Sequence, residues 1–196
     1  MSRMIVGMTG ATGAVFGIRL LTALKECGIE SHLVLSAWAE RTIEHETDWS
    51  VDAVRNLATV CHNATDMGAT ISSGSFRTDG MIIAPCSMRT LAAIANGNGD
   101  HLIHRAADVV LKERKRLVLL VREMPFSDIH LENMLKLSRM GVTILPPLPA
   151  FYNHPESVDD IVNHIVARAL DQLGINSGLT ARWEGQMVNN TTSTSV

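Results

Sequence analysis

The chain has 196 residues, 46% of them hydrophobic and 19% charged, enough apolar material for one α/β domain and too much for a disordered or fibrous protein. Seventeen Lys and Arg against twenty Asp and Glu leave a net charge of −3, which excludes a strongly basic nucleic-acid or anionic-membrane binder. Three widely spaced cysteines, Cys27, Cys61 and Cys86, make neither a disulfide framework nor a zinc site, so a reducing cytoplasm is expected.

Met4–Thr9 reads as a first strand, entered at once with no signal peptide before it, and it ends in Gly10-Ala11-Thr12-Gly13-Ala14. A helix is expected from about Val15 to Cys27, stopped by Gly28. A second strand, His32–Ser36, and a helix from Ala37 to about Glu46 complete a βαβ unit. Residues 47–57 carry a weak helical pattern. Residues 60–80 are irregular, and Ser72-Ser73-Gly74-Ser75 reads as a functional or interface loop. Gly80–Cys86 is a buried strand, and Ser87 caps a helix running to about Asn96. Next come a helix from His101 to Lys115 and an uncharged strand, Leu117–Val121, of the kind found at a sheet centre. Helix Asp128–Met140, strand Val142–Leu145, a Pro-rich loop through Pro155 and helix Val158–Leu173 follow. The polar tail 186–196 is expected to be disordered. This alternation predicts one doubly wound α/β domain over residues 1–185, Rossmann- or flavodoxin-like, with a mainly parallel sheet.

Gly10-Ala11-Thr12-Gly13 after the first strand reads either as an anion cradle at a helix N-terminus or as a tight turn capped by Thr12. With Ser36 and Pro85-Cys86-Ser87 it marks three polar strand tips on one carboxyl edge, where open α/β sheets bind ligands. Cys86 reads as a packing residue. The eight histidines show no metal-binding spacing, and His101 and His104 read as surface polar residues; no metal is expected. Arg122-Glu123 should emerge at the same edge, either as a salt-bridged strand exit or as a phosphate-binding guanidinium beside an acid–base carboxylate. Tyr152, the only tyrosine, lies in the aromatic loop Phe151–Pro155; Arg168 lies in the last helix and either reaches the same place or faces solvent. From the residues alone, the chain binds a phosphate ligand on an α/β edge.

The segments GMTGATGA, SSGSFRTDGMIIAPCS, RAADVVLKERKRLVLLVREMPFS, IHLENMLKLSRMG and LPPLPAFYNHPESVDDIV resemble the flavin prenyltransferase family, the UbiX/Pad1-type proteins, from about residue 3 to Trp183. SSGSF and PAFYNHPE are most similar to members associated with hydroxyarylic acid decarboxylases. The resemblance implies transfer of a dimethylallyl group from dimethylallyl monophosphate to N5 and C6 of reduced FMN, without a metal. The prenylated FMN would serve a UbiD-type aromatic acid decarboxylase. It also implies a dodecamer with sites at subunit contacts. Matched position by position, Gly10, Ala11, Thr12, Ser36, Ser87, Met88, Arg89, Thr90 and Arg122 would hold FMN. Lys112, Tyr152 and Arg168, with Glu46 from another subunit, would hold the donor phosphate. Glu123 would move a proton during ring closure, and Trp183 would lie near the prenyl group. Thr12 stands where many members carry Ser, keeping the hydroxyl and adding a methyl. The alternative is a flavoprotein that itself decarboxylates an aromatic acid, or an FMN-binding accessory subunit of such an enzyme.

Overall fold

The computed structural model describes residues 2–183 and Gly185, so the predicted tail at 186–196 lies outside the described residues. Six strands form one parallel sheet: β1 (Arg3–Met8), β2 (Glu30–Leu35), β3 (Val60–His62), β4 (Gly80–Cys86), β5 (Arg116–Val121) and β6 (Thr143–Ile144). Their order is β3-β2-β1-β4-β5-β6. The chain thus winds outward from β1 to β3, returns to lay β4 beside β1, and winds out the other way. The reversal between β1 and β4 is the switch point at which such sheets open a crevice.

Helices cover both faces, which is why the strands are apolar at successive positions rather than alternately. Met4, Val6 and Met8 of β1 face α1 (Ala14–Glu26) and α7 (Val158–Asp171), while α2 (Ala37–Glu46) and α3 (Val51–Arg55) close the same layer. Ile5 of β1, with Met81 and Ile83 of β4, faces α4 (Met88–Ala95), α5 (Leu102–Lys112) and α6 (Asp128–Arg139). Gly17 lets α1 lie directly on the sheet: a Cβ there would sit 2.5 Å from the Ala84 carbonyl oxygen. Helix α1 ends as predicted at Gly28 (φ 66°) in a Schellman turn, with Gly28 N bonded to Lys25 O and Ile29 N to Leu24 O.

Two expectations need correction. The region 60–80 contains an edge strand, β3, and a 3-10 turn at Thr70–Ser72. Strand β5 is not central but fifth of six, and its apolar run reflects helices on both sides; β4, with all seven residues buried, is the central strand beside β1. Among the described residues no helix is long and apolar enough to cross a membrane.

Candidate functional site at the carboxyl edge

Three loops meet at the carboxyl ends of β1, β2 and β4. Thr9, just past β1, is buried; its hydroxyl donates to Pro85 O at 2.8 Å and accepts from Ser87 N at 2.8 Å. This one side chain fixes the β1 and β4 tips to each other across the switch point. Ser36 N donates to Met8 O at 3.0 Å, which ties the β2 tip to the same place. Ser36 and Ser87 then cap α2 and α4, accepting from Ala39 N at 3.1 Å and Thr90 N at 3.3 Å. Both helices therefore aim their N-termini at the crevice. The result is a cleft of about 480 Å³ lined by Thr9, Gly10, Ser36, Trp38, Ser87, Arg89, Thr90, His101 and His104, among others. Met88 is half-buried in the first turn of α4.

At Gly10 a Cβ would overlap the Cβ of Trp38, so glycine is required there by the start of α2. Thr12 is exposed and does not cap α1; the cap residue is Gly13, in the left-handed region at φ 104° and without a side-chain bond. The capping group comes from Glu46, whose Oε2 accepts from Gly13 N at 2.8 Å and Ala14 N at 3.0 Å. Burial raises the Glu46 pKa, but bonds from the Thr12 hydroxyl and these two N–H groups outweigh it and hold the carboxyl below its usual range.

Arg122 leaves β5 beside this cleft, with its backbone N bonded to Cys86 O at 3.1 Å. Its guanidinium makes no ion pair or side-chain hydrogen bond among the described residues. Glu123 accepts from Met124 N at 3.1 Å and makes no ion pair with Arg122, so the salt-bridged exit does not form. Cys86 is fully buried, and burial pushes its thiol pKa far up, away from nucleophile chemistry. His104 is not a surface residue: it is buried, with Nδ1 3.3 Å from Asp100 Oδ1. His101 caps α5, its Nδ1 accepting from Ile103 N.

The remaining predicted residues lie elsewhere. Tyr152, Arg168 and Trp183 line a second cleft of about 320 Å³ on the flank of α7, which shares no lining residue with the first. The Tyr152 ring meets Trp183 edge-on at 5.6 Å and buried His164 at 5.8 Å. Lys112 ends α5, antiparallel to the strands, and so sits at the amino end of the sheet. There it pairs with Glu113 at 2.6 Å beside Gly74 of the serine-rich loop. The length of β5 separates that end from Arg122, roughly 20 Å at 3.3 Å per residue. One chain does not bring Lys112, Arg122 and Arg168 together.

The family model described as Flavoprotein matches residues 1–170. A probable UbiX-like flavin prenyltransferase of Streptomyces sp. is 62% identical over 184 residues, 93% of this chain and 92% of that one. The chain is a member of the UbiX-type flavin prenyltransferase family. Among solved UbiX-type structures, one in complex with FMN and dimethylallyl pyrophosphate superposes with a TM-score of 0.94 at 54% identity, covering 95% of this chain and 99% of the other. A dodecameric FMN-dependent UbiX-like decarboxylase from Escherichia coli O157:H7 superposes with a TM-score of 0.92 at 63% identity, over 93% of this chain and all of the other. Against this UbiX-type background, Thr9, Glu46 as an α1 cap, His104 and His164 are positions whose structural roles the residue-by-residue reading did not anticipate. A hydroxyl at a strand end was the only available sign for Thr9.

Proposed function

We propose that this protein joins a dimethylallyl group from dimethylallyl monophosphate to N5 and C6 of reduced FMN, and that the prenylated FMN serves a UbiD-type aromatic acid decarboxylase. The observation that carries the reading is the carboxyl-edge cleft, with two capped helix N-termini aimed into it and Arg122 at its margin, without an ion pair among the described residues. Its size is within the usual range for small-molecule sites of roughly 300–1,000 Å³. Backbone amides of the Gly10-Ala11-Thr12 turn, the Ser36 and Ser87 helix starts with Met88 and Thr90, and Arg89 suit a flavin carrying one phosphate.

Reduced FMN, when bound, supplies the nucleophilic N5 and C6. The chain's own residues do the rest. Breaking an allylic C–O bond builds charge on the departing phosphate, and Arg122, Lys112, Arg168 and Tyr152 supply fixed donors for it. Glu123, exposed and free of Arg122, is available to hold or move a proton at its carboxylate during ring closure. Trp183 and Tyr152 offer an apolar wall for the allyl group.

Because Lys112 and Arg168 lie far from Arg122 in one chain, the reading requires copies to complete one another's sites, in a dodecamer. Exposed Met124, Ile129, Leu148, Phe151 and Val158 supply apolar surface for such contacts. The reading also includes a cytoplasmic location, supported by three unpaired cysteines.

Incubation with reduced FMN and dimethylallyl monophosphate, followed by mass spectrometry of the released flavin, tests the assignment. A flavin heavier by one prenyl group is expected. Unmodified flavin together with loss of carbon dioxide from an aromatic acid would replace it with the decarboxylase reading, and unmodified flavin alone with the accessory-subunit reading.

A further inference from the structure

In the cleft on α7, Asp171 holds two guanidiniums at once. Arg168 Nη1 lies 2.9 Å from Oδ2; Arg182 Nη2 lies 2.8 Å from Oδ1, and Arg182 Nη1 lies 3.4 Å from Oδ2. Arg182 is held further by Asn176 Oδ1 at 3.3 Å. The side chain of Asp171 is only 18% exposed, whereas those of Arg168 and Arg182 are 52% and 60% exposed. The carboxylate thus sits low in the cleft and the two cations face its opening.

Two guanidiniums repel, and at separate surface positions their long side chains would sample many rotamers. A shared carboxylate cancels the repulsion and spends only part of their donors: Arg168 uses one nitrogen on it and Arg182 two, of the five N–H groups each carries. The trio keeps a net positive charge beside the Tyr152 hydroxyl. Trp183, next in sequence to Arg182, stands edge-on to Tyr152. A cationic fork and an aromatic wall on one short segment match a phosphate monoester of a small apolar group.

We propose that Arg182 is a second phosphate-binding guanidinium of the donor site, and that Asp171 is the positioning residue that sets Arg168 and Arg182 side by side. The proposal rests on reading this cleft as the donor-phosphate site. Arg182→Gln, Arg182→Lys, Asp171→Asn and Arg168→Ala are compared in the assembled protein at saturating reduced FMN. Dimethylallyl monophosphate is varied, and inorganic phosphate serves as the inhibitor.

Arg182→Gln should raise the donor KM about tenfold, lower kcat as well, and weaken phosphate inhibition in parallel, with FMN affinity unchanged. Arg182→Lys should recover part of the loss, and Asp171→Asn should raise KM without abolishing phosphate inhibition. A purely structural tie between Arg182 and α7 would lower thermal stability and leave phosphate inhibition untouched, which overturns the proposal. Wild-type KM and phosphate inhibition in Arg182→Gln, with both altered in Arg168→Ala, would overturn the role of Arg182 and leave the cleft assignment standing. No change in either variant would remove the cleft assignment, and the proposal with it.

Discussion

Glu46 caps the first helix of its own chain from 33 positions away, its Oε2 lying 2.8 Å from the Gly13 nitrogen. The same carboxylate takes the Ala14 N–H, so two of the four orphan donors of α1 are satisfied by the last residue of α2. The bond ties the Gly13 end of the first turn, three residues from the cleft residue Gly10, to the end of α2. Glu46→Ala should therefore cost about 1 kcal/mol of folding stability, the usual value of a lost helix cap. Urea denaturation of the purified variant measures it, and FMN affinity should fall with it because the turn loosens. Unchanged stability would show that the cap is idle.

Gly10 makes a sharper demand. A Cβ at this position collides with the Cβ of Trp38, an atom that alanine retains and only glycine lacks. Gly10→Ala should cost roughly 1–3 kcal/mol, as overpacking does, and should displace the start of α2 together with Ser36. Trp38→Ala in the same chain should not restore FMN binding, whereas Trp38→Gly should restore part of it. Equal rescue by both would place the conflict farther out, on the indole.

Stability should fall as the solution is acidified from pH 7.5 to 5. His62, His101, His104 and His164 all have pKa values below the ordinary 6.5, burial being the largest cause in each. A base whose pKa is lower in the folded chain takes its proton first in the unfolded chain. Its contribution is thus complete above 6.5 and declines below it. His62 also meets His32 ring to ring, Nε2 to Nδ1 at 2.9 Å, so a proton on both rings is opposed by direct repulsion. Glu30 acts in the same direction at lower pH. Bonds from Arg3 and His32 bring its pKa from 4.5 to about 2, so its contribution is present above 4.5 and lost toward 2. Melting temperatures across this range should show the decline, with a shallower slope in His62→Asn.

The parts of this molecule that were legible in its sequence are those set by short-range chemistry. Gly80–Cys86 announces a strand through seven residues without a charge, and Ser87 announces a helix start through its position before an amphipathic run, whereas Ser36, expected as the last residue of the second strand, is the cap of α2. Strand β3 was illegible because Val60–His62 is three residues long, on a sheet edge, with no buried face to impose alternation. Thr9 was illegible for a different reason. Its partners, Pro85 and Ser87, become neighbours only when β4 returns beside β1. The pairing of Asp171 with Arg182 likewise depends on the chain folding back over α7 after its last turn. Nothing local in the spacing of these residues signals either contact.

The separation of Lys112 from Arg122 leads to the last prediction. Helix α5 runs against the strands, so its final residue must lie at the amino end of the sheet, while Arg122 leaves β5 at the carboxyl end. If both act on one phosphate, different copies supply them, and two defects on different chains can complement each other. Lys112→Ala and Arg122→Ala should each abolish most turnover when alone. Co-expressed with different tags and purified through both, the two variants should regain activity. With random mixing at equal amounts, roughly a quarter of the sites would draw an intact Lys112 from one copy and an intact Arg122 from another, as a head-to-tail contact between copies allows. A double variant carrying both substitutions on one chain, mixed with wild type, checks the tags and the assembly. Activity no higher than either single variant would mean that both side chains come from the same copy, and that the distance between them in one chain must close by another route.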